Sequence, residues 1–311
     1  MIFTLASPTI LMFDPMLPEI EAELDQKYHV LRRYQEADHA EIERLLGDIV
    51  GVTTGGGTGI SRDWLLKLPS LRVVAVNGVG TDKVDLATAR ERGVEVKTTA
   101  GVLTADVADM GLALMLAVLR RLRDGDALVR SGGWADGKKL ALGTSLKGKT
   151  LGILGLGQIG KALAKRAHAS EMNIAYCSRS ETSSDPAWQR ASTPAELAAT
   201  SDVLAVCLNY TPETRSIVNS EVLERLGPTG VLINIARGGV VDEKALIRAL
   251  KDGTIAGAGL DVFENEPRVD TEFNTLPNVF LMPHQASATL EARQAMGHLV
   301  LQNLANHIVR D

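Results

Sequence analysis

The chain has 311 residues, enough for about two domains. With 45% hydrophobic and 23% charged residues it has the balance of an ordinary globular protein with ample core. A net charge of −5, with no Lys/Arg run denser than RRLR at 120–123, speaks against nucleic acid or a membrane surface as partner. The opening stretch, MIFTLASPTILMFDPM, has no basic n-region and soon meets Asp14, so no signal peptide is expected. Cys177 and Cys207 then read as reduced, buried thiols of a cytoplasmic protein.

Residues 1 to 99 alternate strand and helix patterns. SPTILMF, YHVLRRY, DIVGVTT, LRVVAVN and VEVKT read as strands. PEIEAELDQK, AEIERLLG, DWLLKL and LATARERG read as the helices between them. Such alternation implies right-handed βαβ units and a parallel sheet. One long helix is expected from about 104 to 130. Its segment MGLALMLAVL (110–119) is apolar all round, about half a bilayer span, and suits a core or a subunit interface. A second series follows, with strands TLGIL, NIAYCS, VLAVCL, GVLINIA, TIAGAGLDV and NVFLMP. Six strands with intervening helices is the doubly wound pattern. The last stretch, TLEARQAMGHLVLQNLANHIV, reads as one amphipathic helix.

GLGQIG (155–160) matches G-x-G-x-x-G between a strand and a helix, with a second strand next, as in a dinucleotide-binding unit. Gly155 permits the tight turn, Gly157 lets the backbone approach a pyrophosphate, and Gly160 lets helix and strand pack closely. The helix N-terminus presents N–H groups and positive potential to the phosphates. At the end of the next strand, an NAD site places a carboxylate for the ribose 2′-OH. This chain has Ser178, Arg179 and Ser180 there. A 2′-phosphate carries roughly two negative charges at neutral pH, which a carboxylate would repel and a guanidinium fork would bind. One charge-assisted hydrogen bond contributes roughly 1.5–3 kcal/mol. The stretch therefore reads as an NADP(H) site.

Three later strands deliver polar residues at their carboxyl ends, the edge where open α/β sheets bind ligands. They carry Arg237, Glu266 and His284. That trio suits hydride transfer to a 2-keto acid. An arginine can grip the carboxylate in a bidentate pair. A protonated imidazole can give its proton to the carbonyl oxygen as charge develops. A nearby carboxylate favours that imidazolium and orients the ring. Asp261 either meets the nicotinamide carboxamide or is structural. No metal site is expected.

GLGQIG, INIARGGVVDEKAL, LDVFENEP and MPHQASAT, in this order and at these spacings, resemble the D-specific 2-hydroxyacid dehydrogenases over nearly the whole chain. That group includes phosphoglycerate dehydrogenase and glyoxylate/hydroxypyruvate reductase. The resemblance implies two doubly wound parallel-sheet domains of α/β class. A Rossmann cofactor domain would span 100–286. A discontinuous flavodoxin-like substrate domain would take 1–99 and 287–311, with a cleft between the two and hinges near Thr99–Ala100 and Ala286–Ser287. It implies Arg237, Glu266 and His284 as the catalytic set. NGVGTDKVD (77–85) resembles the substrate loop, which implies that amides near Val79 and Gly80 join Arg237 and His284 on the substrate. Further cofactor contacts are implied at Gln158, Ile159, Leu208 and Thr214, and at Ile235, Ala236, Asp261 and Ala286. Trp134 is implied to reach a partner subunit's site in a homodimer. The glycine loop at 53–59 either presents amides to the substrate's far end or is a plain turn.

YCSRS and VADM look most like the NADPH-dependent glyoxylate and hydroxypyruvate reductases. Where many members have Thr-Ala-Glu, His-Ile-Gly and a Pro, this chain has Val107-Ala108-Asp109, His284-Gln285-Ala286 and Asn209. The expected function is NADPH-dependent reduction of glyoxylate or hydroxypyruvate. The alternatives are a 2-ketogluconate or aryl-pyruvate reductase on the same scaffold, or a non-enzymatic NADPH-sensing protein.

Overall fold

The structure, a computed structural model, describes residues 7–179 and 185–308. The chain divides into two compact units. Met1–Leu103 and Ala288–Asp311 form one, and Thr104–Ser287 form the other.

In the first unit, strands β1 (Thr9–Met12), β2 (His29–Arg32), β3 (Ile49–Gly55), β4 (Val73–Asn77) and β5 (Glu95–Lys97) lie in the order β2-β1-β3-β4-β5, all parallel. Successive side chains of a strand face opposite ways. Ile10 and Met12 therefore join a core with Ile20 and Leu24 of α1 (Pro18–Lys27) and Val300 and Leu304 of the helix Leu290–His307. Leu11 joins the opposite core with Ile42 of α2 (His39–Leu45), Leu65 of α3 (Arg62–Lys67) and Ala89 of α4 (Leu86–Glu91). Helices thus cover both faces of this sheet, as parallel sheets require.

The second unit opens with a departure from the sequence pattern. The expected helix over 104–130 is two helices, α5 (Thr104–Leu119) and α6 (Leu122–Arg130). Arg121 between them takes a left-handed conformation, φ 54°. The freed carbonyl of Leu119 is met by the N–H of Thr144, 2.8 Å away. No glycine or proline marks this break, so the periodicity runs through it unbroken.

The strands here are β6 (Thr150–Leu154), β7 (Asn173–Cys177), β8 (Gln189–Arg190), β9 (Val203–Val206), β10 (Val231–Asn234), β11 (Gly257–Leu260) and β12 (Val279–Leu281). Their order is β12-β11-β10-β9-β6-β7-β8, all parallel. The sequence pattern yields six of these; β8 is too short to show a period. The chain order reverses beside β6, at the topological switch point where open sheets bind dinucleotides. α7 (Gln158–Ala169) and α5 lie on one face, where Gly111 and Gly259 allow close approach to Leu163 and Leu114. α8 (Pro194–Ala199), α9 (Ser220–Leu226) and α10 (Glu243–Lys251) supply the core on the other. The expected amphipathic helix of the chain end is present in the first unit as Leu290–His307. Among the described residues no helix is long and apolar enough to cross a membrane.

Leu114, 1% exposed, packs from α5 against β11. Leu114→Ala is expected to destabilise the protein by about 2–5 kcal/mol, the range for a buried leucine that leaves a cavity. A urea titration of both proteins measures the difference.

Candidate active site

The glycine turn begins where β6 ends. Gly155 has φ 102°, a left-handed region that disfavours side chains, and a Cβ there would press on the carbonyl of Cys207 and on Leu208. At Gly160, within the first turn of α7, a Cβ would collide with the carbonyl of Gly155. At Gly157, the residue preceding α7, a Cβ would meet nothing within 4 Å. The turn thus packs tightly beneath and opens at the helix N-terminus, with Gln158 and Ile159 as the first helical residues.

At the end of β7, Ser178 is half-buried and Arg179 exposed. Ser180 lies outside the described residues. A second guanidinium, that of Arg190 on β8, donates to the Ser178 carbonyl at 3.4 Å. The Glu213 carboxyl, across the turn, is lowered by the Thr211 hydroxyl first and by the charge of Arg179 among lesser causes. Two cations therefore flank this strand end. The Thr214 hydroxyl is already engaged, donating to the Asn209 carbonyl at 2.8 Å and accepting from the Thr211 N–H.

The charged trio comes together at the carboxyl edge of β10, β11 and β12. After β10, buried Asn234 braces the turn. Its amide donates to the Arg237 carbonyl and its Oδ1 accepts the Ala236 N–H, both at 3.1 Å. Ile235 and Ala236 are buried, and Arg237 stands half-buried beyond them. Glu266 Oε1 accepts the Phe263 N–H at 2.8 Å, which leaves Oε2 to meet His284 Nδ1 at 2.7 Å. Burial pushes the Glu266 carboxyl up. The His284 hydrogen bond, the Phe263 amide and the charges of His284 and Arg237 outweigh that and leave it below the usual carboxylate range.

His284 itself has φ 55°, which is uncommon for a residue with a side chain. Asp261, fully buried after β11, imposes that geometry. Its carbonyl accepts the His284 N–H at 2.8 Å, and its two carboxylate oxygens accept the N–H groups of Gln285 (2.7 Å) and Ala286 (2.9 Å). Burial, against those two amides, leaves the Asp261 carboxyl raised.

Val79 and Gly80 lie in the first unit, in the turn after β4. The glycine loop of β3 approaches the residue before them, Gly78, through its backbone. A Cβ on Gly78 would stand 3.3 Å from the Gly56 nitrogen. Asp14 anchors that loop by accepting the Gly55 N–H at 2.7 Å and the Thr58 hydroxyl at 2.6 Å. Trp134 is 69% exposed, on the surface of the second unit.

Residues 112–286 match the model of the D-isomer specific 2-hydroxyacid dehydrogenase, NAD binding domain. The chain belongs to the D-isomer specific 2-hydroxyacid dehydrogenase family. It is 42% identical to a 2-ketogluconate reductase of Gluconobacter oxydans over 96% of this chain and 95% of that one. It is 44% identical to glyoxylate/hydroxypyruvate reductase A of Arabidopsis thaliana over the same shares. Among solved structures, the NADPH-dependent glyoxylate/hydroxypyruvate reductase of Sinorhizobium meliloti in complex with NADP and malonate is similar with a TM-score of 0.90. It is 40% identical, over 96% of this chain and 93% of that one.

For a dehydrogenase of this family, the residues present suit a dinucleotide. Gly157 leaves space for a pyrophosphate at the start of α7, and the Arg179 and Arg190 guanidinium groups flank the far end. Because its carboxyl is lowered in the fold, Glu266 contributes stability that is present above the ordinary carboxylate range of ~4.3. That stability is lost as pH falls through the lowered value. Glu266→Gln is therefore expected to be less stable than the parent protein at neutral pH, with the gap closing below about pH 4. Denaturation midpoints measured across pH 3–7 read this directly.

Proposed function

We propose that this dehydrogenase reduces small 2-keto acids with NADPH, glyoxylate and hydroxypyruvate foremost, to D-2-hydroxy acids. The observation that carries the reading is the Glu266–His284 contact beside Arg237, on the sheet edge that also carries the dinucleotide turn. Bound NADPH supplies the hydride that reaches the carbonyl carbon. The Arg237 guanidinium holds the substrate carboxylate. With Nδ1 engaged by Glu266, His284 gives the proton from its other ring nitrogen, Nε2, to the carbonyl oxygen. Glu266 stabilises the charged imidazolium before transfer and fixes its plane. Asp261 keeps the His284–Ala286 backbone in place throughout. In the reverse direction the same imidazole is the base.

Arg179, with Ser178 and the neighbouring Arg190, supports the choice of NADPH over NADH. The exposed apolar side chains of Leu122, Val129, Trp134 and Leu142 support a homodimer, in which Trp134 would shape a partner's substrate pocket. A cytoplasmic location suits the free thiols of Cys177 and Cys207. A second reading, 2-ketogluconate reduction, is favoured by the Gluconobacter relative. A panel of keto acids assayed with both reduced cofactors separates the two, and absence of turnover with every one would leave only an NADPH-binding role.

His284→Ala is expected to lower kcat by at least about 100-fold while NADPH affinity stays within about 3-fold, by steady-state kinetics and fluorescence titration. Turnover near the parent level would remove His284 as proton donor. Ser178→Asp combined with Arg179→Ala is expected to shift the NADPH/NADH ratio of kcat/KM toward NADH by about 10- to 100-fold, the loss of one charge-assisted bond plus new repulsion. An unchanged ratio would place cofactor choice elsewhere.

A further inference from the structure

A glutamate outside the trio occupies an unusual place. Glu243, in the first turn of α10, is only 8% exposed, and among the described residues no ion pair joins it to a cation. A buried carboxylate is costly unless something requires it. Its charged neighbours are Glu264, Asp270 and Glu266, all acidic. Burial first, then their repulsion, push its carboxyl up against one opposing influence, the Glu264 amide. That amide is its partner: Glu264 N–H donates to Glu243 Oε1 at 2.6 Å.

The position of this bond matters. Glu264, itself exposed, lies in the loop that carries Glu266, whose side chain is half-buried. From inside, the loop is tied by Glu266 itself, through the Phe263 N–H. Against its backbone lies Gly238, the residue after Arg237, where a Cβ would fall on the Phe263 carbonyl carbon. The Arg237 turn and the Glu266 loop thus touch backbone to backbone, and Glu243 holds the second to the helix that follows the first.

We propose that Glu243 is a positioning residue for the reduction described above, holding the Phe263–Glu266 loop so that Glu266 stays seated on His284. It touches neither substrate nor cofactor. It acts through Glu266, whose own charged surroundings are His284, Arg237, Asp261 and Glu243 itself. What the position requires is a side-chain oxygen that accepts the Glu264 N–H, and the Glu243 carboxyl supplies it. The inference rests on the functional reading, because the value of a seated Glu266 lies in supporting the His284 proton.

The test compares Glu243→Ala and Glu243→Gln with the parent enzyme. Glu243→Ala is expected to lower kcat about 10- to 100-fold, the scale of loss for a misplacement near one ångström, with NADPH affinity unchanged. Glu243→Gln keeps an acceptor for Glu264 and is expected to restore kcat to within about 3-fold. If Glu243→Ala does not fold, Glu243→Asp, too short to reach Glu264, takes its place with the same expectation. Imidazole NMR of nitrogen-15-labelled protein, with His284→Ala to assign the signal, reads the His284–Glu266 bond without substrate. That bond's signature is expected to weaken in Glu243→Ala and persist in Glu243→Gln. An unchanged kcat and His284 signal in Glu243→Ala would overturn the proposal, as would a loss that Glu243→Gln does not repair. If the parent protein reduces no keto acid with NADPH, the functional reading fails, and the NMR comparison still judges the positioning.

Discussion

One hydrogen bond, 2.7 Å long, joins His284 to a carboxylate eighteen residues earlier. Imidazole and carboxylate each have an ordinary fate alone: solvated, titrating independently, with no reason to share an orientation. Joined, they have a fixed direction, which the proposed mechanism uses to deliver a proton. Much of the second unit can be understood as what keeps that contact in register. Parallel pairing of β10, β11 and β12 aligns three carboxyl ends. The loops that leave those ends are then trimmed by backbone hydrogen bonds rather than by bulk.

The wall of this site holds three carboxyl groups in different states. Glu266 is lowered, against its burial, by the His284 hydrogen bond, the Phe263 amide and the charges of His284 and Arg237, while Asp261 and Glu243 are raised, mainly by burial. Their tasks match. The lowered group faces charge. The raised ones face main-chain amides, Gln285 and Ala286 for Asp261 and Glu264 for Glu243. Environments that push neighbouring titratable groups apart are a mark of functional sites. Glu266 does both, meeting His284 with one oxygen and the Phe263 amide with the other, while Asp261 and Glu243 hold backbone.

The sequence made most of this architecture legible, because hydrophobic alternation and glycine spacing are local. It showed the two alternating series, the glycine turn and the trio. It hid what depends on chain segments meeting in space. Arg121 breaks the helix expected over 104–130 with no local breaker, because the break is completed by a contact from Thr144. β8 has two residues and no period, so Arg190 beside Ser178 was not evident. A clue to α8 was available: Thr193 caps Glu196 N–H while Glu196 accepts the Ser192 N–H, after a proline at the first position. Asn234 looks like an ordinary strand-end residue and Asp261 reads as a nicotinamide contact or a structural group; the fold shows that each braces a turn bearing a trio member. Ser180 lies outside the described residues.

The left-handed backbone at His284 has a consequence for how this protein can be altered. A side-chain-bearing residue in that conformation carries strain on the order of 1–3 kcal/mol, and glycine would relieve it. A search for sturdier variants that scores heat resistance alone will therefore favour glycine here as at Arg121, Glu171 and Ser216, and on the proposed mechanism success at His284 would extinguish turnover. Screens for robustness on this scaffold must count catalysis at every round, or they will select an inert relative of the enzyme.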